Sequence, residues 1–161
     1  MQKSPSELMK ELKFIKAEIR EFHNQDELDS TERVRYYDSK PTHLDYSYED
    51  NRKAIQELCE REMQIHNLLS IFNLTTKIPG FDLTVSEGLL RLAQLKEEGY
   101  TLDVLAGRRQ IKQIDNYGDD KYEVCGYDVA KAKSDLKALQ RERSNLQIAI
   151  DRVNLTSSID C

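Results

Sequence analysis

Leu8, Leu12, Ile15, Ile19 and Phe22 recur at spacings of 4, 3, 4 and 3, with Lys10, Glu11, Lys13, Lys16, Glu18 and Arg20 on the remaining faces. That narrow apolar stripe is the seam of a coiled coil rather than a broad globular face. Ser4-Pro5 supplies an N-cap followed by proline at the first helical position, so a first helix should begin near Ser4 or Ser6.

From about Thr31 to Tyr48 the period shortens. Val34 and Tyr36 alternate with polar residues, as do Leu44, Tyr46 and Tyr48, around the turn formers Asp38-Ser39-Lys40-Pro41. The pattern predicts a β-hairpin, with a long ordered loop as the alternative. A second helix should start near Glu49-Asp50, where two acids suit a helix N-terminus. Its seam is Ile55, Leu58, Ile65, Leu69 and Phe72, interrupted by Glu62, and it should end within Asn73–Ile78, before the break at Pro79-Gly80.

A third helix is announced by the capping-box sequence Thr84-Val85-Ser86-Glu87. Leu89, Leu92, Leu95, Leu102 and Leu105 form its apolar side, Gly99 weakens it, and Gly107 is placed to cap it with Arg108 and Arg109 beside the negative end. A second hairpin is expected over Gln110–Tyr127, turning at Asn116-Tyr117-Gly118-Asp119-Asp120. Asp128 then caps a fourth helix with the seam Val129, Ala132, Leu136, Leu139, Arg143, Leu146, Ile150 and Val153.

The second half echoes the first. Asn73-Leu74-Thr75-Thr76-Lys77-Ile78 returns as Asn154-Leu155-Thr156-Ser157-Ser158-Ile159, 81 positions later. The seams of the second and fourth helices coincide at the same offset, and so do their polar breaks, Glu62 and Arg143. The fold class expected is therefore mainly α: an antiparallel helical bundle or coiled coil from a duplicated helix–β-hairpin–helix unit. It should form a single domain, 1–161, with pseudo-repeats at about 4–78 and 84–159.

Composition agrees with long, solvated helices. The chain is 39% hydrophobic and 33% charged, with 6 Gly and 3 Pro to interrupt it. A net charge of −5 argues against general nucleic-acid binding. Cys59, Cys125 and Cys161 are odd in number and widely spaced, so reduced thiols and a cytoplasmic location are expected. No apolar leader follows Met1 and no run is long enough to span a bilayer, so no membrane partner is expected.

Candidate chemistry is sparse. There is no phosphate-binding glycine loop, nucleophile elbow or metal-binding histidine pair, so the reading is non-enzymatic, with no catalytic residue, cofactor or metal. His23, His43 and His66 stand apart, with His23 near Asp26. Asn73 and Asn154 match glycosylation sequons but read better as helix-ending residues, since Asn tolerates the left-handed conformation. Partner binding is assigned to the hairpins, which gather Arg33, Arg35, Tyr36, Tyr37, Tyr46, Tyr48, Arg108, Arg109, Tyr117, Tyr122 and Tyr127. Tyr and Arg are common in binding hot spots, although tyrosines also simply pack strands together. Glu62 and Arg143 are read as a register-setting pair; the alternative is that both side chains reach solvent.

Tyr127-Asp128-Val129, the run Leu146–Thr156, and Asn73-Leu74-Thr75-Thr76 followed by Leu83-Thr84 resemble the septicolysin-like family of small helical bacterial proteins. Leu155 stands where that family commonly has Trp, and Arg91-Leu92 replaces its usual Arg-Asp pair, so the resemblance is to a divergent member. It implies a bacterial helical protein and adds no catalytic residue. The expected function is that of an interaction protein that self-associates as a homo-oligomer, with an unknown protein partner. The alternative is a small nucleic-acid or nucleotide binder that uses the Tyr/Arg hairpins.

Overall fold

A computed structural model describes residues 2–31, 33, 46–116 and 119–160. It is mainly helical, with two small antiparallel strand pairs. The element order is β1 (Gln2–Lys3), α1 (Pro5–Leu28), α2 (Tyr48–Thr75), α3 (Val85–Ala106), β2 (Ile111–Asn116), β3 (Asp119–Val124), α4 (Val129–Thr156) and β4 (Ile159–Asp160). The first expected hairpin lies almost wholly outside the described residues. Two compact units emerge: Met1–Phe72 with Asn154–Cys161, and Asn73–Val153.

In the first unit, α1 starts where the sequence indicates. The Ser4 hydroxyl accepts from Glu7 N at 3.2 Å, and the Glu7 carboxylate accepts from Ser4 N at 2.7 Å, so two otherwise unpaired donors are satisfied. Leu8, Leu12 and Ile15 from α1 meet Ile65 from α2 in a buried core, and Ile19, Leu58, Leu69 and Ile159 pack on it. Ile159 arrives there on β4, which pairs with β1 in the register Gln2↔Asp160 and Lys3↔Ile159. This clasp of the two chain ends is not predicted by the hydrophobic pattern, since two-residue strands carry no period.

α2 begins at Tyr48, so Tyr48 is the first helical residue and not the end of a strand. The cause is local: the Ser47 hydroxyl accepts from Asp50 N and opens the helix one residue early. At the other end, α2 and α4 run through Asn73 and Asn154 to Thr75 and Thr156. No non-glycine residue with positive φ occurs among the described residues, so the left-handed conformation expected of the two asparagines is not adopted, although both helices end within the motif and α2 stops inside the expected Asn73–Ile78 window.

The second unit opens with a tight turn, Ile78-Pro79-Gly80-Phe81. Phe81 N donates to Ile78 O at 3.0 Å, and Gly80 has φ 84°, the left-handed value that a type II turn requires at its third position. Flanking bonds, Ile78 N to Leu83 O and Val85 N to Thr76 O, deliver the chain to α3. There Thr84 and Glu87 form the expected capping box. Gly107 caps the far end with φ −75°, in the right-handed region, so glycine is not needed there for its conformational freedom.

The apolar side of α3 differs from expectation in one place. Leu89 is exposed, and the buried position beside it is Gly88. A methyl at Gly88 would sit 2.4 Å from Ile78 Cδ1 and 3.2 Å from Ile150 Cδ1. The absent side chain is what lets Ile78 and Ile150 close over the helix. In α4, Val129, Ala132, Leu139, Leu146, Ile150 and Val153 are all buried as the seam predicts, while Arg143 is exposed.

Candidate functional site

The second expected hairpin is present as β2–β3, antiparallel, with Ile111 opposite Val124, Lys112 opposite Glu123 and Gln113 opposite Tyr122. Gln110 builds its base. The side-chain amide donates to Cys125 O at 3.2 Å and Tyr127 O at 2.9 Å, and its oxygen accepts from Val129 N at 3.0 Å. One glutamine thus ties the first strand to the end of the second and to the start of α4. The Tyr127 hydroxyl adds a bond to Leu105 O at 2.8 Å, anchoring the base to the last turn of α3. Partial burial pushes the Tyr127 phenol above its ordinary value of 10.0, and the neighbouring Cys125 thiol adds to the effect while Arg108 opposes it.

The side chains of residues 111–114 and 121–124 are all exposed. Alternation places Ile111, Gln113, Tyr122 and Val124 on one face of the ribbon. Ile111, Tyr122 and Val124 are 60%, 56% and 63% exposed, which makes that face apolar and open. At the base a cavity of about 460 Å³ is lined by Arg108, Arg109, Lys112, Glu123 and Cys125, so three cations share it with one carboxylate. The Cys125 thiol donates to Arg109 O at 3.2 Å.

In the first unit, Tyr46 and Tyr48 serve a polar cluster centred on Asp26 near the end of α1. Tyr46 donates to Asp26 Oδ1 at 2.7 Å, Asn51 Nδ2 donates to the same oxygen at 3.2 Å, and Arg52 pairs with Oδ2. The Arg52 guanidinium also lies over the Tyr48 ring, 5.6 Å from its centroid. His23 Nδ1 stands 4.0 Å from Asp26 Oδ2, the proximity that the sequence suggests. Asp26 escapes sequence reasoning because its partners come from α2 and the approach to it, 20 to 26 positions away. Arg33 is exposed. Arg35, Tyr36, Tyr37 and Tyr117 lie outside the described residues.

Glu62 and Arg143 have different surroundings. Glu62 lies 3.5 Å from Lys16 on α1 and 3.6 Å from His66 one turn along α2. Arg143 is exposed on α4 and borders a groove with Lys96, Gly99, Tyr100, Asp103 and Gln140. Next to Glu62 in the chain, Arg61 Nε donates to Glu11 Oε1 at 2.9 Å, and Lys3 reaches the other oxygen of Glu11 at 2.7 Å. Those two donors hold the Glu11 carboxyl below its ordinary value of 4.5. In the second unit Arg91 binds Glu142 Oε1 through both Nε and an Nη, at 3.0 and 2.8 Å. Among the described residues no group of three His, Cys, Asp or Glu side chains could hold a metal ion. No helix there is long and apolar enough to cross a membrane.

The fold has a counterpart. The chain is similar to the crystal structure of a functionally unknown conserved protein from Corynebacterium diphtheriae, with a TM-score of 0.68 and 14% identity, covering 99% of this chain and 100% of that one. At that identity the likeness shows the shared fold alone. No family model and no curated protein matches the sequence.

Proposed function

We propose that this protein is a non-enzymatic interaction protein, built from two copies of one helix–hairpin–helix unit, that self-associates through the β2–β3 ribbon. The observation that carries the reading is the ribbon's open apolar face, Ile111, Tyr122 and Val124. An isolated two-stranded ribbon is marginally stable in water, and an exposed apolar face on one is normally covered by a partner.

Duplication is supported by matched local structure. The capping boxes of α1 and α3 begin at Ser4 and Thr84, 80 positions apart. The caps of α2 and α4, Ser47 and Asp128, are 81 apart, and so are Tyr46 and Tyr127, each of which bonds back to the end of the preceding helix. The ion pairs match at the same two offsets, so Glu11–Arg61 corresponds to Arg91–Glu142 with the charges exchanged. A coiled-coil character of the four seams belongs to the same reading, as does the resemblance to septicolysin-like proteins.

Light scattering across a size-exclusion peak tests self-association. An oligomer that falls to monomer mass in the double variant Ile111→Lys, Val124→Lys supports it. A wild-type mass of 18.8 kDa overturns it. The second reading, a nucleotide or nucleic-acid binder, is favoured by the three cations at the ribbon base, Arg108, Arg109 and Lys112. Excess absorbance at 260 nm that tracks the protein peak and disappears in Arg108→Glu, Arg109→Glu would select it.

A further inference from the structure

Within the second unit, α3 and α4 leave a groove of about 250 Å³. Its floor exists because of one residue. Gly99 presents no side chain to Leu139, and an added methyl would stand 3.5 Å from Leu139 Cδ2. Leu136 and Leu139 complete an apolar base, Tyr100 and Gln140 stand at the rim, and Asp103 closes one end.

The opposite end holds two cations, Lys96 from α3 and Arg143 from α4. Neither side chain makes an ion pair or hydrogen bond with another described residue. This is an unusual arrangement for a seam position. The matching place on α1 and α2 sets Lys16 against Glu62 at 3.5 Å, and Ile19, one turn along α1, packs on the core. On α3 and α4 the carboxylate has become Arg143 and the isoleucine has become Gly99. Both changes act together: one leaves positive charge without a counterion, and the other opens apolar space beside it.

We infer that this groove binds a small organic oxyanion, its charged group between Lys96 and Arg143 and its apolar body over Gly99 and Leu139. Arg143 offers a planar fork of donors and Lys96 a mobile point charge, a combination that suits carboxylate and phosphate alike. The volume is small by the standard of ligand pockets, which limits the body to about one ring or a short chain. Asp103 provides a polar contact at the far end, and Gln140 another at the rim, for a donor group on that body. The site is separate from the hairpin and does not depend on self-association.

The test is an amide chemical-shift titration of the full chain with phenyl phosphate, benzoate and inorganic phosphate, against sodium chloride at matched ionic strength. Phenyl phosphate or benzoate should give saturable shifts centred on Gly99–Asp103 and Gln140–Arg143, and whichever binds more tightly identifies the oxyanion. Either should bind at least about 5-fold more tightly than inorganic phosphate, because only the organic probes use the floor. Arg143→Glu should weaken binding by at least about 10-fold, the effect of losing one charged hydrogen-bond partner. It also recreates the Lys–Glu pairing seen at Lys16 and Glu62, so the variant should fold. Gly99→Ile fills the floor and should remove the advantage of the organic probes. Shifts no different from those with sodium chloride overturn the inference. So does inorganic phosphate binding as tightly as the organic probes, or binding unchanged in Arg143→Glu.

Discussion

Arg61 on α2 grips Glu11 on α1 at 2.9 Å, and in the second unit an Arg–Glu pair runs in the opposite chain order, with Arg91 on α3 and Glu142 on α4 at 2.8 Å. An ion pair can be inverted without changing its Coulomb energy, so the exchange costs little where the surroundings allow it. At Glu11 they allow it only in part, because Lys3 also binds that carboxylate at 2.7 Å. Each single reversal, Glu11→Arg or Arg61→Glu, should destabilise the protein by about 0.5–1 kcal/mol, the range for partly exposed pairs. The double reversal should recover only part of this, since the new guanidinium at position 11 would then face Lys3. Adding Lys3→Leu should complete the recovery. Urea denaturation of the set checks the order.

Gly88 and Gly99 lie on the same helix and should respond to alanine in opposite directions. At Gly88 the new methyl meets Ile78 Cδ1 at 2.4 Å inside a packed core. Gly88→Ala should cost about 1 kcal/mol net, overpacking outweighing the gain in helix propensity. Ile78→Val removes the offending Cδ1 and should rescue the variant. At Gly99 the nearest atom is 3.5 Å away, an ordinary contact, so Gly99→Ala should stabilise by up to about 1 kcal/mol. Thermal unfolding of the three variants measures all of this.

Acid should weaken the first unit through Glu11. Its folded pKa lies below the ordinary 4.5 because of Arg61 and Lys3. The stabilisation is therefore complete above about pH 4.5 and is lost as pH falls through the lower folded value. Glu7 and Glu87, lowered by the Ser4 and Thr84 donors of their capping boxes, act in the same direction. Urea midpoints followed from about pH 6 to about pH 3 should fall, and Glu11→Gln should flatten that slope.

The ribbon base should come apart at Gln110 before it does at Tyr127. Tyr127→Phe removes one hydrogen bond, to Leu105 O, at a cost of about 1 kcal/mol. Gln110→Ala removes three, which join β2, β3 and the start of α4. Amide exchange in residues 111–124 should accelerate more in Gln110→Ala than in Tyr127→Phe, while α1 and α2 keep their protection.

Local signals were legible in the sequence, for a physical reason: each is complete within a few residues. The caps at Ser4, Thr84 and Asp128, the turn at Pro79-Gly80, the β2–β3 hairpin and the buried seam of α4 all depend on hydrogen bonds or periodicity between near neighbours. Only the tertiary structure decided what distant residues do to one another. It put Gly88 in the core and Leu89 outside, because Ile78 and Ile150 claim the space above the glycine. It gave Glu62 to Lys16 and gathered Tyr46, Asn51 and Arg52 around Asp26. It paired β1 with β4 across the length of the chain, and it left Arg143 beside Lys96 over an open floor. A one-dimensional pattern states which positions want burial or charge; the partner that satisfies each is chosen by packing between segments far apart in sequence.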